Sequence, residues 1–315
     1  MKLYLLAPIL LILLSCNSPS SQTTRATDID SIPEGAVSFE YDFNLKRAIL
    51  IPGTLNDSVP LWYFLETGFL KMTFSDSLTS DFEKKEDKNG FRKIEKTMEV
   101  RIGGFERIYG DSVDAYCFDK NDMLFRWRGT GGILPWQFFD QKIIEISFSK
   151  QYIRELSGTR DLTGYDSVKM EVENGFLGIP VAVSVQGKKI KAVVTIDTGC
   201  NGDISFSNNI IFKYGIKSDN AFFGKAHLLH GFNSAFSFKS DTVQVGKFIL
   251  TQNNYVSFSL DRQRPYPFSG LLGNGILEKF DLVLDLRNYY LYLKPTPKSL
   301  LQPDIKQKTP TQVHV

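Results

Sequence analysis

Two short segments of this sequence share the same pattern, a carboxylic acid followed by threonine and glycine, directly after an apolar run. Two carboxylic acids brought close together cannot both ionise easily, so they share one proton. The ionised acid can then deprotonate a water molecule, while the protonated acid donates to a carbonyl oxygen. Such a pair hydrolyses a peptide bond without a covalent intermediate. The two segments are Glu66-Thr67-Gly68 and Asp197-Thr198-Gly199.

The residues that follow each acid suit the same chemistry. A threonine hydroxyl can hydrogen-bond across the axis between the two segments and lock their loops together. Glycine permits the tight backbone turn that aims the carboxylate inward. We therefore expect Asp197 and Glu66 to be the catalytic pair. The supporting loop residues are Thr67, Gly68, Thr198 and Gly199.

The acidic segments belong to a longer internal repeat, in which four landmarks occur twice in the same order. The offset between the copies drifts by only a dozen residues, from 131 (197 − 66) to 143 (243 − 100). Duplication with loop insertions produces such a pattern, whereas chance would scatter the landmarks. The landmarks are Trp62–Gly68 with Val193–Gly199, Asn89–Phe91 with His230–Phe232, Val100–Phe105 with Val243–Phe248, and Gly132–Pro135 with Gly270–Gly273.

Each copy consists mainly of short apolar or alternating stretches bounded by turn residues, which predicts β-strands. Examples are Val181–Val185 and Ile190–Ile196. Helical periodicity is scarce, and the most helical pieces lie near Gly275–Lys279 and Trp136–Gln141. The sequence thus predicts two β-rich lobes related by a two-fold axis. The lobes span residues 37–156 and 167–295, and a linker rich in Gly, Ser, Thr and Asp joins them at 157–166.

The first 15 residues have the features of a secretory signal, with Lys2 followed by the apolar run Leu3–Leu14. This run is shorter than the roughly 20 residues that a membrane-spanning helix needs. Residues 13–16, Leu-Leu-Ser-Cys, resemble the bacterial lipobox, in which the cysteine is acylated. We therefore expect Cys16 to anchor the protein to a membrane of the cell envelope, on its periplasmic or surface face, with residues 16–36 as a flexible tether. The alternative is an ordinary cleaved signal.

The segment Asp197-Thr198-Gly199, followed by Gly270-Leu271-Leu272-Gly273, resembles the aspartic peptidases of the retropepsin and pepsin type. In that family the apolar-apolar-Gly element packs beneath the active-site loop. The resemblance implies an all-β fold with two pseudo-symmetric retropepsin-like (acid protease) β-barrel lobes in one chain. It also implies an aspartic-type endopeptidase that acts on peptide or protein substrates and needs no metal or organic cofactor. Because one chain holds both lobes, we expect a monomer.

Two positions depart from the family pattern. Glu66 stands where the family has aspartate, and Pro135 stands where the downstream glycine of the first copy would be. Glutamate keeps the charge but adds one CH₂, and positional errors near 1 Å can cost about 100-fold in rate. Two interpretations therefore stay open. One is an active Glu66/Asp197 pair, and the other is a catalytically inactive lipoprotein that binds extended peptides in the groove by strand addition.

In this family a hairpin flap with a glycine-containing tip closes over the substrate. The resemblance therefore directs attention to two Gly-Phe segments between each acid and its downstream element, whose phenyl rings could cover a bound peptide. The alternative for both is an exposed hairpin turn. The flap candidates are Asn89, Gly90, Phe91, His230, Gly231 and Phe232.

Charge and composition argue against other classes of protein. The chain has 37 Lys and Arg against 35 Asp and Glu, with no long basic run, so a nucleic-acid partner is not expected. The three His and three Cys residues show no metal-ligand spacing. A disulfide between Cys117 and Cys200 would suit an oxidising compartment, although their non-equivalent places in the two copies argue against it.

Residues 296–315, with three prolines, are predicted to be a disordered tail.

Overall fold

A computed structural model describes residues 32–41, 47–79, 84–86, 92–94, 96–109, 115–118, 130–157, 161–228, 231–251, 254–260, 267–297, 299 and 305–307. The predicted signal segment with Cys16 lies outside the described residues. So do the flap candidates Asn89, Gly90, Phe91 and His230.

Short β-strands make up most of the described chain. The strands of the first part are β1 (Val37–Ser38), β2 (Glu40–Tyr41), β3 (Ile49–Leu55), β4 (Val59–Leu65), β5 (Met72–Ser75), β6 (Lys84–Glu86), β7 (Arg92–Ile94), β8 (Met98–Ile102), β9 (Phe105–Tyr109), β10 (Ala115–Phe118), β11 (Thr130–Leu134), β12 (Ile143–Ser147) and β13 (Tyr152–Glu155). Those of the second part are β14 (Asp166–Lys169), β15 (Glu171–Glu173), β16 (Phe176–Val185), β17 (Lys188–Ile196), β18 (Ile204–Phe206), β19 (Phe222–Leu228), β20 (Gly231–Lys239), β21 (Thr242–Val245), β22 (Phe248–Leu250), β23 (Tyr255–Ser259), β24 (Gly270–Leu272), β25 (Phe280–Asp285), β26 (Tyr290–Pro295) and β27 (Ile305–Gln307).

The two large sheets have the same strand order. The first runs β6-β7-β10-β5-β11-β4-β3-β8-β9, with β2 beside β3. The second runs β19-β20-β23-β18-β24-β17-β16-β21-β22 and ends with β27, while β15 lies beside β16. Every strand from β3 to β11 therefore has a counterpart at the same place in the second sheet. The predicted all-β class with two pseudo-symmetric lobes is confirmed by this arrangement.

A third sheet contains strands from both halves of the chain. Its order is β1-β13-β12-β25-β26-β14, so three strands come from each half. The central strands β12 and β25 are antiparallel, with Ile144 opposite Leu284 and Ile146 opposite Leu282. All four side chains are buried. This shared sheet therefore links the two lobes through backbone hydrogen bonds and apolar packing.

The burial pattern of the strands explains where the acidic segments lie. In β17 exposure alternates over the first residues, whereas the last three residues, Val194–Ile196, are all buried. Strand β4 likewise ends in three buried residues, Tyr63–Leu65. Buried apolar runs are typical of strands covered on both faces. Each acid thus directly follows a strand whose C-terminal residues lie in the core.

The helices are short. Helix α1 spans Asn208–Tyr214 and helix α2 spans Asn274–Leu277, while 3₁₀ turns cover Asp76–Leu78 and Trp136–Phe139. The predicted helical pieces near residues 275 and 136 are therefore present, but α1 was not predicted. Its seven residues form only two turns, which is too short for a helical period to stand out. Among the described residues, no helix is both long and apolar enough to cross a membrane.

The prediction of a disordered tail is wrong for residues 305–307. These residues form β27, in which Ile305 pairs with Leu250 and Gln307 pairs with Phe248 of β22. A strand at the edge of a sheet presents backbone donors and acceptors that another segment can satisfy. Backbone pairing depends little on side-chain type, so the polar composition of this segment did not reveal it.

Candidate functional site

The two predicted acids occupy equivalent places at the ends of β4 and β17. The backbone N–H of Glu66 donates to Leu134 O in β11 at 3.0 Å, and that of Asp197 donates to Leu272 O in β24 at 2.9 Å. Strands β11 and β24 run parallel to β4 and β17, respectively. The carbonyl oxygen of each acid also accepts a bond of 3.2 Å from the N–H three residues later. Both acids therefore begin a turn of the same form.

The threonines that follow the acids bind each other across the two halves. Thr67 N–H donates to Thr198 Oγ1 at 3.0 Å, and Thr198 N–H donates to Thr67 Oγ1 at 3.0 Å. The hydroxyl of Thr67 then donates to Ile196 O, and that of Thr198 donates to Leu65 O, both at 2.8 Å. Because both threonines are buried, these four bonds fix the two acid loops against each other.

The glycines leave room for the carboxyl groups of the opposite loop. A Cβ atom on Gly68 would lie 2.5 Å from Cγ of Asp197, and one on Gly199 would lie 2.6 Å from Cδ of Glu66. Real Cβ atoms do not come so close to other heavy atoms, so glycine is required at both positions. The structure thus brings Glu66 and Asp197 to one place, with each carboxyl group lying over the loop of the other.

The carboxyl group of Asp197 is almost completely buried, with 7% of the residue exposed. Burial raises the pKa of Asp197 to about 6, although Oδ1 accepts hydrogen bonds from the N–H groups of Gly199 and Cys200 at 2.8 and 3.1 Å. Those two bonds favour the charged form and only partly offset the loss of hydration. Asp197 therefore holds a proton under mildly acidic conditions, at a pH where an exposed aspartate is ionised.

Cys200 directly follows this loop. Burial and the nearby charge of Asp197 raise the pKa of the Cys200 thiol to about 12, so it stays a protonated thiol at neutral pH. Within the described part of the chain, Cys117 and Cys200 form no disulfide. Cys117 lies in β10 of the first sheet, where its thiol donates to Arg92 O at 3.6 Å. Cys200 is therefore not the thiolate that redox chemistry needs, and Cys117 is buried.

The downstream glycine of the second half packs directly beneath the Asp197 loop. A Cβ atom on Gly273 would lie 2.6 Å from Cys200 O, so no larger residue fits there. The N–H of Gly273 donates to Asp203 O at 2.9 Å. In the first half, Pro135 stands at this place with φ −77° and begins the 3₁₀ turn. Proline fits because its ring requires a φ near this value, and the N–H of a residue that precedes a helical turn is not used by that turn.

The segments proposed as flaps are flanked by paired strands. Strands β19 and β20 form an antiparallel hairpin in which Leu228 pairs with Gly231. His230 lies outside the described residues, and so does the position of the Phe232 side chain. In the first half, β6 and β7 are antiparallel on either side of residues 87–91. The closure of these hairpins over a substrate stays a prediction.

Sequence reasoning missed Asn274, which is completely buried. Its Nδ2 group donates to Thr198 O at 2.7 Å and also to Arg47 O. The signal that could have revealed Asn274 is a polar residue directly after an element that packs under the acid loop, because a buried amide needs partners.

Metal ligands do not converge in the described part of the chain, where no group of three or more His, Cys, Asp or Glu side chains could hold an ion. The arrangement of Glu66 and Asp197 is instead one of two acids whose loops are hydrogen-bonded to each other. Such an arrangement can hold a water molecule and share one proton.

Replacing Thr67 with valine should destabilise the protein. Valine fills the same volume but leaves Thr198 N–H without its acceptor and Ile196 O without its donor. A buried donor or acceptor left without a partner costs about 1–3 kcal/mol. We expect a loss of this size in the free energy of unfolding, measured by urea titration. The Thr67→Ser variant keeps the hydroxyl and should lose less, and equal losses in both variants would contradict the assigned bonds.

Replacing Asp197 with asparagine should change how stability depends on pH. Since the pKa of Asp197 is raised in the folded protein, its contribution to stability is complete below about pH 4 and is lost as pH rises through about 6. Asparagine does not titrate. The Tm of Asp197→Asn relative to wild type should therefore increase from pH 4 to pH 8, measured by calorimetry. A difference that is independent of pH would contradict the raised pKa.

No family model matches this chain, and no curated protein matches it. Among solved structures, the chain is similar to a retropepsin-like aspartic protease from Rickettsia conorii. The two sequences are 24% identical, and the match covers 41% of this chain and 89% of that chain with a TM-score of 0.31.

Proposed function

We propose that the protein is an aspartic-type endopeptidase in which Glu66 and Asp197 activate the attacking water. One observation carries the proposal. The exchange of hydrogen bonds between Thr67 and Thr198 fixes two equivalent loops so that the carboxyl group of each acid lies against the glycine of the other loop. A structural role for two acids would not require them to converge in this way from separate halves of the chain.

In the proposed reaction Asp197 carries the shared proton and Glu66 is ionised. Glu66 removes a proton from water as the water oxygen bonds to the substrate carbonyl carbon, while Asp197 protonates the carbonyl oxygen. The tetrahedral intermediate then collapses. Glu66 gives its proton to the leaving nitrogen as the C–N bond breaks, and Asp197 recovers a proton from a hydroxyl of the intermediate. Both acids return to their initial states.

Glutamate in the first position is compatible with this reaction. Its additional CH₂ extends the side chain from the first loop to Gly199 of the second, where the Cδ atom approaches within contact distance of the glycine. The longer side chain therefore reaches the loop of the other acid. The alternative function, peptide binding without hydrolysis, shares this groove and differs only in the outcome of the activity test.

The shape of the proposed substrate follows from the paired strands. The hairpin of β19 and β20, with its counterpart β6 and β7, suits an extended peptide that lies between these hairpins and the acids. The two lobes, proposed as residues 37–156 and 167–295, together make one site, so a single chain suffices. This is the arrangement of a retropepsin dimer fused into one polypeptide.

We also propose that Cys16 is acylated and anchors the protein to a membrane of the cell envelope. The support is the sequence Leu-Leu-Ser-Cys after an apolar run, which resembles a lipobox. Several acyl chains bind a membrane stably, because each buried CH₂ contributes about 0.8 kcal/mol. The site would then act on peptides in the envelope, within reach of the tether at residues 16–36.

Substitution of either acid tests the catalytic proposal. Asp197→Asn and Glu66→Gln should each lower the rate of peptide cleavage by about 10³-fold or more, because each removes one proton-transfer group. Glu66→Asp should keep or increase the rate. Wild-type activity should decline above about pH 6 as Asp197 loses its proton. The assay measures cleavage of a peptide library between pH 3 and pH 8 by the detergent-solubilised protein.

The matched control for these variants is Asp281→Asn. Asp281 accepts hydrogen bonds from Ser147 and Ser149 in the shared sheet and has no place in the proposed reaction. Full activity of Asp197→Asn would exclude the aspartic mechanism. Peptide binding without cleavage by the wild-type protein would instead establish the binding alternative.

The anchor is tested by expression of Cys16→Ser. Wild-type protein should partition into the detergent phase of a Triton X-114 extraction and carry acyl chains by mass spectrometry. The Cys16→Ser variant should move to the aqueous phase or keep its signal segment uncleaved. An N-terminus other than Cys16 in the mature wild-type protein would contradict the proposal.

A further inference from the structure

In each half of the molecule, one side chain donates a hydrogen bond to the segment that precedes the first long strand of the other half. In one, Trp136 Nε1 donates to Gly175 O at 2.8 Å, just before β16. In the other, Asn274 Nδ2 donates to Arg47 O, just before β3. Trp136 and Asn274 both lie two residues after the carbonyl group that accepts the N–H of an acid. The two bonds are therefore related by the pseudo-two-fold axis.

The acceptor residues share an unusual backbone conformation. Gly175 has φ +83° and Arg47 has φ +44°. Glycine adopts the left-handed region at little cost, whereas a residue with a Cβ atom is strained there. Strain of this kind persists only where the surroundings hold the residue in place. Arg47 is thus kept in a conformation that its glycine counterpart adopts freely.

Asn274 donates a second hydrogen bond, which its counterpart Trp136 lacks. The Nδ2 group carries two hydrogen atoms, and it also donates to Thr198 O at 2.7 Å, the carbonyl group of the residue after Asp197. The indole of Trp136 has only one N–H, which is already directed to Gly175 O. The carbonyl group that follows Asp197 is therefore held by a buried side chain, while Trp136 cannot hold the corresponding carbonyl group after Glu66.

The side chain of Arg47 adds a second restraint on the same loop. Its Nη1 lies 3.3 Å from Asp203 Oδ1 and 3.4 Å from Asn201 O. Its Nε lies 3.5 Å from Glu278 Oε1. Asp203 is buried, so this ion pair is less screened than one on the surface. Its counterpart Gly175 has no side chain and cannot form such contacts.

We propose that Arg47 and Asn274 are positioning residues for hydrolysis, which together form a one-sided strut from the first half of the chain to the Asp197 loop. The strut consists of these two side chains with their bonds to Arg47 O, Thr198 O and Asp203. It keeps the shorter acid in a fixed place, while the longer Glu66 adapts to the substrate and the water. This inference rests on the proposed function, because it assigns the strut a role in catalysis.

The central test compares Asn274→Leu with Trp136→Phe. Leucine has a similar volume but removes both hydrogen bonds that Asn274 donates. A displacement of the Asp197 loop near 1 Å should lower kcat by about 100-fold and leave KM within about threefold of wild type. Phenylalanine removes the symmetry-related bond to Gly175 O without freeing an acid loop, so kcat should fall by less than about threefold. Urea unfolding of both variants measures their loss of stability. Equal losses of kcat in both variants would overturn the proposal.

Substitution of Arg47 tests the second restraint. Arg47→Met keeps most of the side-chain volume but removes the charge, and it should lower kcat by about tenfold. Arg47→Lys keeps the charge and should restore part of that loss, because lysine can still pair with Asp203 but lacks the planar fork. If Arg47→Met keeps the wild-type kcat, then Arg47 has no part in positioning the loop.

A measurement that does not depend on activity separates this inference from the proposed function. Each variant is compared with the double variant that also carries Asp197→Asn. The difference in their free energies of unfolding, measured from pH 4 to pH 8, gives the pKa of Asp197 in that variant. Loosening of the loop admits water, so Asn274→Leu should lower that pKa from about 6 toward its ordinary value, while Trp136→Phe should leave it unchanged. If wild type cleaves no peptide, the proposed function fails, and this titration alone decides whether the strut holds Asp197. An unchanged pKa in Asn274→Leu overturns the strut.

Discussion

The reciprocal hydrogen bonds between Thr67 and Thr198 are the interaction on which the arrangement of this molecule depends. Each hydroxyl accepts from the opposite backbone N–H and donates to the carbonyl group at the end of the opposite strand. Because no water reaches these groups, each threonine must find its partners in the other half of the chain. The two acid loops can therefore meet in only one register, and the acids are placed as a consequence.

A nearly symmetric framework here supports two halves that differ at the site. The strand orders of the large sheets match, and the shared sheet contributes three strands from each half. Within this framework, however, Gly273 corresponds to Pro135 and Asn274 corresponds to Trp136. The differences concentrate around the Asp197 loop, where small or polar residues let the chain pack tightly. The Glu66 loop has bulkier neighbours and a longer acid. The two halves thus share one strand order and differ in the residues that surround each acid.

Burial sets the chemistry of the pair as much as proximity does. Two backbone N–H groups favour the charged form of Asp197, yet removal from water has the larger effect and raises its pKa. Burial also raises the pKa of the neighbouring Cys200 thiol, so this group is neutral at pH 7. The raised pKa of Asp197 thus results from hydrophobic packing around a few polar groups.

The sequence by itself determined the internal repeat, the acids at the ends of apolar strands, and the glycines that make room for them. These features are local or recur at a nearly constant offset, so they can be recognised without coordinates. Asn274, Arg47 and the pairing of Ile305 with Leu250 were decided only by the tertiary structure. Each of these depends on a contact between residues far apart in the chain, and the residue types involved carry no local signature of their partners. Only the fold brings Arg47 from the first half beneath the loop of Asp197, because that approach requires the shared sheet to hold both lobes in place.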